Sequence, residues 1–202
     1  GWYDSIITQN GYLQIEALAR RFKDIHIDAV YSSDLFRTKA TAAALVKGRK
    51  LELNTRQALR EICMGEWEDV TWAWAARTDP ERLDLFNRND PDYRCPGGES
   101  FSQVRERVSN AILNIARDNP GKTVAVFSHG IAIRNTLARF LGYSIQQTNA
   151  ALPHSDNTGV ALLEVEGEQV KVVFYNDNSH LSEEISTFAR QKWWKSQEGS
   201  LA

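Results

Sequence analysis

The run Thr123-Val124-Ala125-Val126-Phe127-Ser128-His129-Gly130 decides how this chain is read. Its first five residues follow the turn signal Asn119-Pro120-Gly121 and form a short apolar run, which predicts a buried strand. Ile131 to Leu141 is apolar enough for a helix, so Ser128-His129-Gly130 stands at a strand-to-helix junction. Side chains there lie at the carboxyl end of a strand, where open α/β sheets bind ligands. The helix that follows offers unpaired N–H groups and a partial positive charge, both suited to an anion. His129 at this junction can donate a hydrogen bond to a phosphoryl oxygen, and Gly130 lets the backbone approach closely. The plainer alternative is that His129 only packs and satisfies a buried backbone group.

Working outward, Ile15, Leu18, Ala19 and Phe22 fall on one helical face, which predicts a helix over roughly 9–23 with Thr8 as its cap. Ala29-Val30-Tyr31-Ser32 reads as a second buried strand, Asp34 opens a helix that ends before Lys47-Gly48, and Leu51 to Thr55 is strand-like. This alternation implies βαβ units and a largely parallel sheet. Between 62 and 100 the pattern changes to turns and short helices with Trp67, Trp72 and Trp74, read as a cap inserted in a single domain over 1–202. Asp79-Pro80 looks like a helix start, and Ser100 to Gln103 has capping-box spacing before a helical stripe to Arg117. Val160 to Val165 and Val170 to Tyr175 around Gly167 predict a hairpin, and the tail from Ser182 to about Ser196 a last helix.

The bulk composition sets bounds. A net charge of −2 over 202 residues offers no basic surface for nucleic acid. No run of 18 apolar residues suggests a membrane span, and Gly1-Trp2-Tyr3-Asp4 does not look like a signal peptide. Cys63 and Cys95 form no metal or redox motif and read as reduced thiols in a cytoplasmic setting.

Two further segments carry chemistry. In Tyr31-Ser32-Ser33-Asp34-Leu35-Phe36-Arg37-Thr38, Arg37 falls on the first turn of a helix that follows a strand. Arginine is the preferred planar, permanently charged partner for phosphate oxygens, although an exposed helical Arg is more often only solvated. In Leu59-Arg60-Glu61-Ile62-Cys63-Met64-Gly65-Glu66-Trp67-Glu68, Glu61 follows the third strand-like stretch and could face the same cleft. A carboxyl beside a phosphoryl group can move the leaving-group proton.

Taken in order and spacing, these segments resemble the histidine phosphatase (phosphoglycerate mutase-like) family. Gly1-Trp2-Tyr3-Asp4-Ser5 with Thr8 and Gly11, Pro96-Gly97-Gly98-Glu99-Ser100, Asn157-Thr158-Gly159-Val160 and Asn176 to Leu181 add to the resemblance, which covers nearly the whole chain. It implies an α/β fold, a three-layer α/β/α sandwich with a mostly parallel sheet and a small helical cap. It also implies phosphoryl transfer through a phosphohistidine, with no metal or organic cofactor. On this resemblance Glu61 and His129 are the catalytic residues, and Arg37, His129 and Gly130 bind the phosphate.

The family's nucleophile lies in an Arg-His-Gly motif at the end of a first strand, which is expected upstream of Gly1. His26, His154 and His180 are no substitutes: His26 precedes its strand, His180 sits in a late loop, and His154 could line the cleft rim but has no phosphate-binding partner beside it. The expected function is a phosphomonoesterase acting on a small phosphorylated metabolite. The alternatives are a cofactor-dependent phosphoglycerate mutase, disfavoured by the short 61–100 stretch, and a catalytically inactive binder of phosphorylated ligands. Trp67, Trp72 and Trp74 are expected to pack helices rather than touch substrate. Trp193 and Trp194 are expected either to dock the tail or to mediate self-association.

Overall fold

The computed structural model describes residues 1–190. Three parallel strands form the central sheet in the order β2-β1-β3, with β1 at Ala29–Ser32, β2 at Leu53–Thr55 and β3 at Val124–Phe127. The strand periodicity of two explains the layers. Val30, Ala125 and Phe127 point to one face, where they meet Ala42 and Leu45 of helix α2 (Phe36–Val46) and Phe22 just beyond α1 (Gln9–Arg21). Ala29, Tyr31, Val124 and Val126 point to the other, against Phe101, Val104, Val108 and Ile115 of a long helix over Phe101–Asp118 and Ala132 of a helix over Gly130–Phe140. The result is the α/β/α sandwich expected from the sequence.

Helix starts follow their caps. Thr8 accepts from the Gly11 N–H at 3.1 Å, and Ser100 and Gln103 form a full capping box at the start of the long helix. Between these lie two short helices, α3 (Trp72–Thr78) and α4 (Pro80–Asn87), with Asp79 capping α4. The long helix is α5 and Gly130–Phe140 is α6. A short helix α7 (Thr148–Ala151) follows, then the antiparallel hairpin of β4 (Val160–Glu166) and β5 (Gln169–Asp177). Leu137 and Ala138 of α6 pack against Leu163, Val172 and Tyr175 of that hairpin.

Three readings need correction. Asp34 does not open α2: its carboxylate pairs with Arg60 through two bonds of 2.7 Å. The helix starts at Phe36, whose N–H instead donates to the Asp4 carboxylate at 2.7 Å. Next, β3 is half-buried rather than buried. Both of its faces are covered, but among the described residues only β1 pairs with it. Finally, the last helix among the described residues is the short α8, Thr187–Arg190. The rest of the expected tail helix, with Trp193 and Trp194, lies outside the described residues.

The segment 62–100 is locked to the core at a glycine. Gly65 has φ +53°, and a Cβ there would stand 2.1 Å from the Pro96 carbonyl and 2.5 Å from the Gly98 nitrogen. Gly65→Ala should therefore cost about 2 kcal/mol or more, from left-handed strain plus overpacking. A calorimetric Tm lower by roughly 5 °C or more is expected; an unchanged Tm would mean that this contact is not tight.

Candidate active site

β1 and β3 end at the same level because Ser32 pairs with Phe127 in register, and the Ser33 N–H continues the ladder to the Phe127 carbonyl at 2.9 Å. The residues just past both strands therefore meet. Arg37 Nε donates to His129 Nδ1 at 3.1 Å, and His129 Nε2 contacts Ser33 Oγ at 2.9 Å. Since arginine can only donate, His129 Nδ1 must accept, which puts the ring proton on Nε2 and directs it at Ser33. Burial above all, followed by the Arg37 guanidinium, pushes His129 down to about 2. The imidazole is neutral at physiological pH.

Arg37 spends its other donors economically. Nη1 donates to the Tyr3 carbonyl at 2.9 Å and Nη2 to the Gly1 carbonyl at 2.7 Å. Three of the five guanidinium N–H groups are thus committed, leaving one on each terminal nitrogen. Burial lowers its pKa and nearby Glu61 works the other way; arginine stays charged regardless. Among the described residues no carboxylate forms an ion pair with it, so a half-buried cation is held in place by carbonyls and an imidazole.

Glu61 is 9 % exposed and fixed at the start of α6. Its Oε1 accepts from the N–H groups of Ile62 and Ala132, each at 2.9 Å, and Oε2 from Ile131 at 3.0 Å. The anion-binding end of α6, expected to meet a phosphate, thus holds the Glu61 carboxylate. Gly130 itself faces open space: a Cβ there would meet nothing within 4 Å.

The loop that carries Glu61 is clamped from behind, most heavily by Arg107, which the sequence reading did not single out. Arg107 donates to the carbonyls of Ala58, Arg60 and Glu61 at 2.9–3.0 Å and pairs with Glu99 at 2.6 Å. Ser128 Oγ donates to the Leu59 carbonyl at 2.8 Å. Trp2 Nε1 donates to the Glu61 carbonyl at 2.7 Å, and Arg60 lies over the Trp2 ring. Burial disfavours the Glu68 carboxylate, but the N–H groups of Trp2, Met64 and Tyr3 outweigh it and hold its pKa below the usual range. Arg107 was illegible because it flanks the apolar stripe of α5, where an arginine reads as solvated; only the buried backbone around it reveals the role.

Arg37 and Glu61 line one cavity of about 530 Å3, with His129 directly behind Arg37. The three residues singled out in separate segments therefore converge. The other histidines do not join them. His26 bonds Asp28 at 2.9 Å at the opposite end of the sheet, and His180 sits between Arg21 and Thr158. His154 does have a cationic neighbour, contrary to its sequence reading: Arg134, 20 residues earlier, approaches it at 3.0 Å. Of the tryptophans, Trp67 and Trp72 both line the cavity; Trp67 is buried as expected, whereas Trp72 is 58 % exposed. Cys63 and Cys95 are free thiols. No helix among the described residues is long and apolar enough to cross a membrane.

The model of the histidine phosphatase superfamily (branch 1) matches residues 1–178. The chain is 31% identical over 187 residues to phosphoglycerate mutase-like protein 4 of Arabidopsis thaliana, covering 91% of this chain and 79% of that one. It is also 31% identical to the metal-independent phosphoserine phosphatase of the same plant, over 90% and 75% of the two chains. Among solved structures, Bacillus stearothermophilus YhfR superimposes with a TM-score of 0.86 at 29% identity, covering 90% of each chain.

Proposed function

This chain belongs to the histidine phosphatase superfamily, and from that premise we propose that it is a phosphomonoesterase acting on a small phosphorylated metabolite through a phosphohistidine. The observation that carries the reading is the Arg37–His129 contact of 3.1 Å beside Glu61 on the rim of one cavity. Phosphoryl transfer depends on positioning and on stabilising the charge of the transferring group. The two uncommitted N–H groups of Arg37 suit two phosphoryl oxygens, and His129 buttresses the guanidinium as an acceptor while its own proton is directed at Ser33. Gly130, with open space in front of it, leaves room for the anion.

In this mechanism an imidazole nitrogen from the Arg-His-Gly segment expected upstream of Gly1 attacks phosphorus. The bond to the ester oxygen breaks, and that oxygen takes the Glu61 proton and leaves as the alcohol. Water then gives its proton back to Glu61 and attacks the phosphohistidine, releasing phosphate and restoring the imidazole. The chemistry asks nothing of a metal. The two free thiols and the near-neutral charge suit a cytoplasmic protein.

The test uses the full polypeptide in the presence of a chelator. Expected are steady release of phosphate from alkyl phosphates and, on rapid quench in alkaline denaturant, a phosphoryl adduct on one histidine, labile to acid and stable to base. Binding of phosphate esters with no release of phosphate would instead identify an inactive relative. Movement of phosphate between glycerate hydroxyls faster than its release would identify a mutase.

A further inference from the structure

The cavity extends beyond Arg37 under α3, and its far wall is apolar. Met64, Trp67, Val70, Trp72, Phe86 and Ile131 line it. Trp72 is exposed yet firmly seated: its ring lies 5.1 Å from Phe86 at an interplanar angle of 33°. Phe86 in turn meets Tyr93 edge-on at 5.1 Å and lies tilted against Phe101 at 5.7 Å, both buried. The indole is therefore presented on a rigid aromatic ladder rooted in the core. Tyr3 and Val70, at the same cavity, also keep large apolar surface in water. Exposed apolar surface gathered in a concave site marks a place where an apolar ligand can be covered.

We infer that the organic half of the substrate is an apolar, ring-bearing alcohol seated against Trp72. This rests on the phosphomonoesterase reading of the same site and narrows its substrate class. An ester with no apolar group, such as phosphoserine, leaves that wall uncovered.

Steady-state kinetics of the full polypeptide on three esters of primary alcohols tests this, because matched alkoxide leaving groups make the chemical step comparable. The esters are 2-phenylethyl phosphate, glycerol 3-phosphate and phosphoserine. The phenylethyl ester is expected to exceed phosphoserine in kcat/KM by about tenfold or more, the scale set by covering a phenyl ring. Trp72→Ala should shrink the phenylethyl-to-glycerol preference by about fivefold, mainly through KM. Phosphoserine as the equal or better substrate would overturn the inference and leave the phosphatase reading standing. So would a Trp72→Ala loss that is the same for all three esters. No turnover of any ester would end both.

Discussion

Arg37→Ala is expected to lower kcat/KM for phosphate esters by roughly 10³-fold or more, about 4 kcal/mol of transition-state stabilisation. The side chain supplies a cation to the cavity lining, and its charge and fork act where charge shifts during transfer. Arg37→Lys should recover only part of the loss, because an ammonium cannot span Gly1, Tyr3 and His129 while reaching two phosphoryl oxygens. His129→Ala should come close to Arg37→Ala, since it removes the imidazole that accepts from Arg37 Nε. Circular dichroism should report a retained fold for each. A loss below tenfold for Arg37→Ala, with the fold intact, would remove Arg37 from the phosphate site.

Glu61→Gln should have the second large effect, and its form matters more than its size. A carboxylate can accept from Ile62, Ile131 and Ala132 together. An amide has one oxygen, so one of those N–H groups must face the amide nitrogen. Some loss of activity would follow from that clash alone. A proton donor, however, predicts a loss that depends on the leaving group. Alkyl phosphates should slow by about 10²–10⁴-fold, while p-nitrophenyl phosphate, whose phenolate leaves without a proton, should slow far less. Equal slowing of both ester classes would reduce Glu61 to a structural support for the start of α6.

The titration of His129 carries a consequence for stability. Its folded-state pKa, about 2, lies below the unfolded value of about 6.5. The unfolded chain therefore binds more protons between these values, and stability should fall as pH drops through that window. His129→Gln, which has no such group, should flatten part of that acid dependence in thermal unfolding scans.

Much of this site was legible in the linear chain. The Val124–Phe127 run, the alternation of short strands and helices, and the phosphate-seeking residues at two strand ends follow from local rules: side-chain periodicity, caps and turn residues. Those rules act over a few residues, so they placed Thr8, Asp79 and Ser100 as caps. They failed at Asp34, where a partner 26 residues away, Arg60, outcompeted the helix start. Glu61 could be named as a candidate but its setting could not: the three N–H groups that hold it come from its own neighbour and from a helix 70 residues on.

By itself, the sequence determined the α/β alternation, the segments that bring an imidazole, a guanidinium and a carboxyl to strand ends, and the family. Only the tertiary structure decided that Arg107 braces the Glu61 loop, that α6 spends its N-terminal N–H groups on a carboxylate, and that Trp72 lines the cavity with half its surface in water. The physical reason is range. Periodicity and capping are written in neighbours, whereas hydrogen-bond partners and cavity walls are chosen by packing among residues that the chain keeps far apart.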